Sequence, residues 1–408
     1  MRHAPSTVYR RRRIVVGTAA LVALAVIGYF PVTLLTPLES ASAVVANVAP
    51  VQVDAPQLAW PDNRATAIAR VDEPGILAAQ GTLAPHAIAS ITKVITALVV
   101  LDAHPLGDGT GPGERITLTQ RDRDLYDSYL SAGGLVQPVT VGESFSQREM
   151  LEITLISSSN NYAHTLAVWA FGSEKAFLEA TRAWLEKQGL HETTIMEPTG
   201  MDPRNTSTVP DLLQLGRLVV ADPVISGIVA LPTVHIGTLG DVENSNKLLG
   251  QFGVTGIKTG TLDAAGACLL FSAELVIGSR TVSIVGVALG GKSHKIQYPQ
   301  LADFLRSVTS HFSEMTLTTA GQPFADYTTM WGEHTQAVAD ETVTALVWGS
   351  AAAQAEVTTR PVSVLHAGAD VGEVRYTVGD TQFTVPLVLS SPLRDPGPWW
   401  RLARPFAS

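Results

Sequence analysis

The sequence holds a single cysteine, and this scarcity excludes two kinds of structure. Cys268 stands alone among 408 residues, so the chain can form neither an internal disulfide nor a cysteine-based metal site. It lies in the apolar run 267–271. We therefore expect Cys268 to be a small buried side chain of the core.

Charge is also sparse, and it is unevenly distributed. Charged residues make up 16% of the chain and hydrophobic residues 46%, which is typical of a globular protein. Residues 1–50 carry five arginines and one acid, which leaves 23 basic and 36 acidic side chains in the remainder. A body this acidic repels phosphate backbones, so we expect no nucleic-acid partner. The length favours two domains.

One long uncharged segment lies near the N-terminus. Arg10–Arg13 precede Ile14–Phe30, and no further charge appears before Glu39. The 17 residues are short for a spanning helix and long for the apolar core of a signal peptide. The arginines predict a cytoplasmic N-terminus, with everything after residue 38 outside the cell membrane. Ala41-Ser42-Ala43 offers a cleavage site that would release a secreted form, but the length of the segment favours an uncleaved anchor.

Changes in composition divide the chain into five parts. We predict a cytoplasmic basic segment (1–13), an anchor or signal (14–38), a linker rich in Ala, Val, Ser and Pro (39–56), a catalytic domain (57–313) and a C-terminal domain (314–408). The C-terminal part shows short β-like segments and no convincing helix, which indicates a small all-β domain. Trp399 and Trp400 could lie at a membrane interface or close the core of that domain.

Helical and strand patterns alternate between residues 57 and 313. Helices are predicted over Ile91–Leu101, Gln147–Ile156, Glu174–Gly189, Pro210–Ala221 and Pro299–Phe312. Strands are predicted over Val254–Thr261, Cys268–Ile277 and Thr281–Leu289. The fold class is therefore α+β, with an antiparallel sheet that carries helices.

The first group with chemical potential is Ser90-Ile91-Thr92-Lys93, at the start of a predicted helix. Residues three apart share a helix face, so the Ser90 hydroxyl and the Lys93 amine can meet. A lysine desolvated by apolar neighbours can lower its pKa and act as a base. Alone, this pattern is common by chance in proteins, and Ser90 could simply cap the helix.

Two further groups follow. Ser158-Ser159-Asn160 comes at the end of a predicted helix, where polar residues are also common for structural reasons. Lys258-Thr259-Gly260-Thr261 lies on a predicted strand, and Gly260 would let a ligand or the helix of Ser90 approach closely. An edge strand there could accept an extended peptide, with Lys258 and the threonine hydroxyls binding its carboxylate.

The order and spacing of these three groups resemble those of the D-alanyl-D-alanine carboxypeptidases, the low-molecular-mass penicillin-binding proteins. The similarity extends over roughly residues 57–313 and includes Pro198–Asp202 and Asn244–Leu249. It implies the transpeptidase fold shared with β-lactamases: an antiparallel sheet with helices on both sides and a helical subdomain. No metal or other cofactor is implied.

The resemblance also implies roles for individual residues. Ser90 would attack the carbonyl between the two terminal D-alanines of a peptidoglycan stem peptide, and Lys93 would take its proton. Ser158 would relay a proton to the leaving amine, while Asn160 holds Lys93 and the substrate. Lys258 and Thr259 would bind the terminal carboxylate beside Gly260, and the backbone N–H groups of Ser90 and Thr261 would form the oxyanion hole. β-Lactams would acylate the same serine.

Some details depart from the family pattern and leave alternatives open. Ser159 and Asn161 stand where relatives carry glycine and aspartate, so Ser159 with Asn161 is a second possible register. A class A β-lactamase shares the three groups, and Glu197 lies near the position of its deacylating glutamate, but the neighbouring residues differ. A non-catalytic scaffold that binds cell-wall peptide is the third interpretation. His86 and His164 lie close to the motifs, and we interpret both as structural or pocket-lining.

Overall fold

The structure, a computed structural model, describes residues 6–107 and 109–404. These residues form two compact units. The first runs from Pro56 to Phe312, and the second combines the chain up to Ala55 with the chain from Ser313 onward. Residues 1–5 of the predicted cytoplasmic segment and 405–408 of the predicted C-terminal domain lie outside the described residues.

The elements are numbered in chain order over the described residues. The α-helices are α1 Ser6–Leu35, α2 Thr92–Ala103, α3 Gln120–Ser131, α4 Gln147–Ile156, α5 Asn160–Phe171, α6 Glu174–Lys187, α7 Val209–Ala221, α8 Pro223–Val229, α9 His294–His311 and α10 Pro398–Ala403. The strands are β1 Ala43–Val45, β2 Val51–Val53, β3 Ala65–Arg70, β4 Ala78–Gly81, β5 His86–Ala87, β6 Arg115–Thr117, β7 Ser144–Ser146, β8 Thr206–Ser207, β9 Thr233–Ile236, β10 Gly240–Glu243, β11 Val254–Leu262, β12 Gly266–Ile277, β13 Arg280–Gly291, β14 Phe312–Thr318, β15 Pro323–Thr328, β16 His334–Ala339, β17 Val343–Trp348, β18 Ala351–Thr359, β19 Asp370–Val378 and β20 Thr381–Leu389.

A five-stranded antiparallel sheet forms the centre of the first unit, in the order β11-β12-β13-β3-β4. Residues 267–273 of β12 are all buried, because α7 and α9 both pack on the sheet. The predicted strands and their hairpin connection are confirmed, and so is the burial of Cys268, which is 0% exposed. The α+β class is therefore correct.

A layer of helices packs beside this sheet. Helix α2 is buried along most of its length and contacts α4, α5 and α6. The last predicted helix of this unit begins earlier than expected, at His294 instead of Pro299. Ser293 caps it by accepting a hydrogen bond from the Ile296 amide, and Pro299 lies inside the helix. Since proline usually marks a helix start, the sequence pattern placed the boundary one turn too late.

The second unit has a seven-stranded sheet in the order β1-β15-β16-β20-β19-β18-β2, with β14 and β17 paired separately. The predicted linker over 39–56 differs from the structure here. Ala43 pairs with Tyr327 and Val53 with Ala351, so β1 and β2 belong to this sheet. Segments of three residues carry too little periodicity for a strand to be recognised from the sequence.

The two ends of the second unit are helical. Helix α1 contains a candidate membrane span, Val8–Leu35, that is long enough and, after its arginines, apolar enough to cross a membrane; a signal sequence would have the same properties. Helix α10 contradicts the expectation that residues 314–408 contain no helix. Trp399 is 84% exposed, and neither Trp399 nor Trp400 belongs to the apolar core of this unit.

Candidate active site

Ser90 and Lys93 meet at the start of α2. Ser90 lies in a single 3-10 turn that runs directly into the helix, and Lys93 follows within the first helical turn. The Lys93 Nζ is 2.9 Å from the Ser90 Oγ. The helical spacing thus produces the serine–lysine pair that the motif predicted.

Lys93 is fully buried, and its amine contacts two oxygen acceptors. Its Nζ donates to the Asn160 Oδ1 at 2.6 Å and to the Thr199 carbonyl at 2.7 Å. Burial, followed by the positive charge of Lys258, holds the pKa of Lys93 well below its ordinary value. A neutral amine has two N–H groups, which these acceptors use, and one lone pair, which is then free to face Ser90. The side chain is prepared to accept the hydroxyl proton.

Ser158 lies in the short connection between α4 and α5, in a strained conformation. Its φ is +62°, a region that side chains other than glycine rarely adopt. The Oγ is buried and makes no hydrogen bond to any described residue. Strain and a free buried hydroxyl both cost stability, and this combination is typical of functional positions.

The geometry distinguishes the two registers of the second motif. Asn160 contacts Lys93, whereas the Ser159 Oγ donates to the Asn161 Oδ1 at 2.7 Å. Asn161 in turn exchanges two hydrogen bonds with the backbone of Gln137, at 3.0 and 3.1 Å. Asn160 therefore belongs with Lys93, which favours the register of Ser158 with Asn160, and Asn161 holds the loop that precedes β7.

Lys258 and Thr259 lie on β11, which is the edge strand of the sheet and passes close to Ser90 and Lys93. The Thr259 Oγ1 is 2.7 Å from the Ser245 Oγ, which the Lys258 Nζ approaches at 3.5 Å. Burial lowers the pKa of Lys258 to about 7. Thr261 is exposed further along the same strand. This edge can accept an extended peptide whose carboxylate meets the lysine.

Two glycines allow the backbone to approach Ser90. A Cβ on Gly260 would come 3.0 Å from the Ser90 amide nitrogen. A Cβ on Gly200, whose φ is +87°, would come 1.9 Å from the Ala89 carbonyl oxygen. Larger residues at either position would displace the turn that carries the nucleophile.

Sequence reasoning missed the network behind Lys93. The Glu197 carboxylate accepts hydrogen bonds from the amides of Thr199 and Gly200 at 2.7 and 2.5 Å, and from Asn205 Nδ2 at 2.9 Å. It thereby fixes the Thr199 carbonyl that accepts from Lys93. The sequence suggested for Glu197 only the role of a deacylating glutamate, because no local pattern predicts which atom a loop carboxylate will bind.

The two histidines near the motifs make local contacts. The His86 Nε2 lies 3.0 Å from the Ala265 carbonyl, and the His164 Nδ1 lies 2.8 Å from the Tyr129 hydroxyl. Burial lowers the pKa of His164. Within residues 6–107 and 109–404, no group of three or more His, Cys, Asp or Glu side chains is placed to hold a metal ion.

Comparison with known proteins identifies the family. The sequence profile of the D-alanyl-D-alanine carboxypeptidase family of serine peptidases matches residues 59–292, more than half of the chain. The chain belongs to this family. The peptidase class predicted from the three motifs is thereby confirmed.

Curated relatives carry two related names. D-alanyl-D-alanine endopeptidases of Escherichia coli and Pseudomonas aeruginosa are 30% and 33% identical over 227 and 230 residues, covering 54% of this chain and 67% of each relative. A D-alanyl-D-alanine carboxypeptidase of Mycobacterium tuberculosis is 30% identical over 207 residues, covering 48% of this chain and 66% of the relative.

Solved structures confirm the fold. Penicillin-binding protein 6B of Escherichia coli has a TM-score of 0.59 at 22% identity, over 82% of this chain and 97% of its own. A penicillin-binding protein of Streptococcus pneumoniae gives 0.58 at 21% identity, over 82% and 99%. The predicted penicillin-binding-protein fold is correct.

Proposed function

We propose that this chain is a serine D-alanyl-D-alanine carboxypeptidase that removes the terminal D-alanine from peptidoglycan stem peptides through a Ser90 acyl-enzyme. One observation supports this most directly: a fully buried Lys93 with a lowered pKa lies 2.9 Å from the Ser90 Oγ. Such an amine can take the serine proton at neutral pH, which is the requirement for acylation.

In the proposed acylation, the Ser90 Oγ bonds to the carbonyl carbon between the two D-alanines as its proton passes to Lys93. The Ser158 hydroxyl, which has no hydrogen-bond partner among the described residues, gives its proton to the leaving amine and takes the proton from Lys93 in exchange, and the terminal D-alanine departs. Asn160 keeps the Lys93 amine in place. Water then cleaves the ester, releasing the shortened peptide and restoring Ser90.

Substrate binding is assigned to the β11 edge. Lys258 and Thr259 would hold the terminal carboxylate of the stem peptide, and Gly260 leaves room for its backbone. The amides of Ser90 and Thr261 would stabilise the oxyanion, an effect worth about 3 kcal/mol per donor in related chemistry. A β-lactam presents an equivalent carbonyl and carboxylate, so it would acylate Ser90 and leave slowly.

The β-lactamase alternative loses its support from Glu197. Its carboxylate oxygens accept hydrogen bonds from the amides of Thr199 and Gly200 and from the Asn205 side chain. These bonds stabilise the loop and occupy the carboxylate, so it is poorly placed to activate a hydrolytic water. A non-catalytic scaffold would be expected to lack either the serine nucleophile or the lysine base. Here the serine, the lysine and their partners are assembled.

An endopeptidase is the second candidate, because the E. coli and P. aeruginosa relatives carry that name. The same acyl-enzyme could form on a cross-bridge between stem peptides. The two activities differ only in the group that leaves, so the residues around Ser90 serve both.

We further propose that α1 is retained as a membrane anchor with the catalytic unit outside. Cleavage after Ala43 would remove Ala41, whose backbone exchanges two hydrogen bonds with Val362, and part of β1. Retention keeps that edge of the sheet intact, whereas a cleaved form would lose it.

The test uses the full-length protein in detergent with a fluorescent penicillin and two peptidoglycan fragments. We expect stable labelling and release of D-alanine, both lost in Ser90→Ala and unchanged in Ser310→Ala, an exposed helical serine of the same unit. Rapid turnover of the penicillin would indicate a β-lactamase, and no labelling would indicate a scaffold. Cleavage of a cross-linked dimer without D-alanine release would make the endopeptidase the correct function.

A further inference from the structure

Helix α10 packs against the outer end of α1. The Tyr29 hydroxyl donates to the Leu402 carbonyl at 2.6 Å. The Arg401 guanidinium donates to the carbonyls of Leu34 and Thr36 at 3.3 and 2.8 Å. The last carbonyls of a helix have no partners within the helix, and a cation there is also favoured by the helix dipole. Arg401 therefore caps the helix proposed to cross the membrane.

The position of this cap along α1 fits the thickness of a bilayer. About 20 helical residues are needed to cross the hydrocarbon layer. Counted from Ile14, the first residue after the arginines, that length ends near Thr33. Arg401 contacts the carbonyls just beyond this point, so α10 lies at the level of the outer lipid headgroups.

Aromatic side chains gather at the same level. Trp400 packs edge-on against Trp331, with ring centroids 6.0 Å apart. Trp331 lies with Met330 in the turn between β15 and β16, and Met330 is 43% exposed. Trp399 projects outward and is 84% exposed. A large exposed indole is unusual on a soluble surface and is typical of the interface between water and lipid.

Arginine side chains accompany these rings. The Arg404 guanidinium lies over the Trp400 ring at 5.5 Å and is exposed. Arg401 is paired with Asp395 at 2.5 Å, so its charge is balanced within the protein, and its guanidinium contacts the end of α1. The group formed by Met330, Trp331, Trp399, Trp400 and Arg404 is called the tryptophan surface below. Its apolar rings, with the exposed Arg404 cation at the edge, match lipid chains beneath anionic phosphates.

We propose that the tryptophan surface inserts into the outer-leaflet interface of the bilayer that α1 crosses. The inference rests on the proposed anchoring. It adds that the second unit is held to the membrane at two places, through the span and through a surface built from chain segments distant in sequence. The occupant is lipid because the surface continues directly from the end of the span.

The test measures the depth of Trp399 in lipid vesicles. The full-length protein is reconstituted in phosphatidylcholine brominated either near the glycerol end or near the end of the acyl chain. Helix α1 contains no tryptophan, so it contributes no such signal. We expect stronger quenching by the shallow bromines, reduced by about half in Trp399→Phe. Trp184→Phe is the matched control, because Trp184 is buried in the core of the first unit and shielded from lipid.

The outcomes separate the two proposals. If the wild-type protein does not float with the vesicles, the anchoring proposal fails and the tryptophan surface fails with it. If the protein floats but quenching is the same in Trp399→Phe, only the tryptophan surface is wrong. Quenching independent of Trp399 together with a dimer in detergent would assign the surface to a second copy of the chain.

Discussion

The two units differ in what they bury. Within the described residues, the polar side chains that the second unit buries are threonines and tyrosines: Thr33, Thr318, Thr329, Thr335, Tyr327 and Tyr376. The first unit also buries basic and acidic side chains: His86, Lys93, Asp122, Glu152, His164, Asp211 and Lys258. Burial of charge is costly, so a domain built for stability alone avoids it. In the candidate active site, the first unit bears this cost at Lys93 and Lys258.

Backbone strain follows the same division. The described residues other than glycine with positive φ are Ala89, Ser158 and Phe252, and all belong to the first unit. Ala89 precedes the nucleophile, and Ser158 opens the second motif. Strain next to reacting groups is maintained by the surrounding contacts, and it fixes their positions before substrate arrives. The second unit achieves its fold without it.

The largest expected effect is on acylation. Lys93→Met should slow labelling by a fluorescent penicillin about 1000-fold, because general bases contribute roughly 100- to 10,000-fold. The folded state keeps the pKa of Lys93 low, so the unfolded state binds more protons below the ordinary lysine pKa. The Tm of the variant relative to wild type should therefore rise as pH falls.

Stopped-flow labelling and calorimetry at two pH values measure both effects. Lys187→Met, at an exposed lysine, is the control and should change neither quantity. Labelling of Lys93→Met at the wild-type rate would assign the base to another group and remove the functional reason for burying this charge.

The second largest expected effect is on the pH dependence of kcat/KM. The pKa of Lys258 is about 7, and the substrate carboxylate needs the protonated form. The kcat/KM should therefore fall above pH 7, since this ratio reports the free enzyme. In Lys258→Arg the side chain stays charged, so the fall above pH 7 should disappear. Steady-state kinetics of D-alanine release measure the profile, and an unchanged fall in the variant would contradict the assignment.

The smallest effect concerns the strain at Ser158. Ser158→Ala and Ser158→Gly both remove the hydroxyl, but only glycine accepts the positive φ without cost. We expect the glycine variant to exceed the alanine variant by about 1 kcal/mol in free energy of unfolding. Both should lose activity. Denaturant titration of the two proteins compares them directly, and equal stabilities would show that the backbone is relaxed there.

The sequence predicted the catalytic groups better than their surroundings. Ser90, Lys93 and the Lys258–Thr261 strand could be found because helix periodicity and strand patterns are local. Glu197 and Ser245 could not be given a role, because their contacts depend on how distant loops meet. The register of the second motif needed the structure, since both serines have the same chemistry and only the folded chain shows that Asn160, and not Asn161, contacts Lys93.

Prediction of the fold from the sequence was limited in the same way. Strands β12 and β13 are long, apolar and joined by a short turn, so their pairing was predictable. The three residues of β1 or β2 gain their structure from partners far along the chain, which no local pattern reveals. Helix α10 begins with proline and two tryptophans, a composition that does not favour a helix over a strand.

The position of β1 and β2 affects how the protein is made. Both strands leave the ribosome early, yet β15 and β18, which they pair with, emerge only after the whole first unit. Until then they remain exposed and can pair with other chains, which is a known route to aggregation. This segment must therefore stay apart from other chains until the last strands arrive, and a chain truncated after Phe312 would leave its own N-terminal strands permanently without partners.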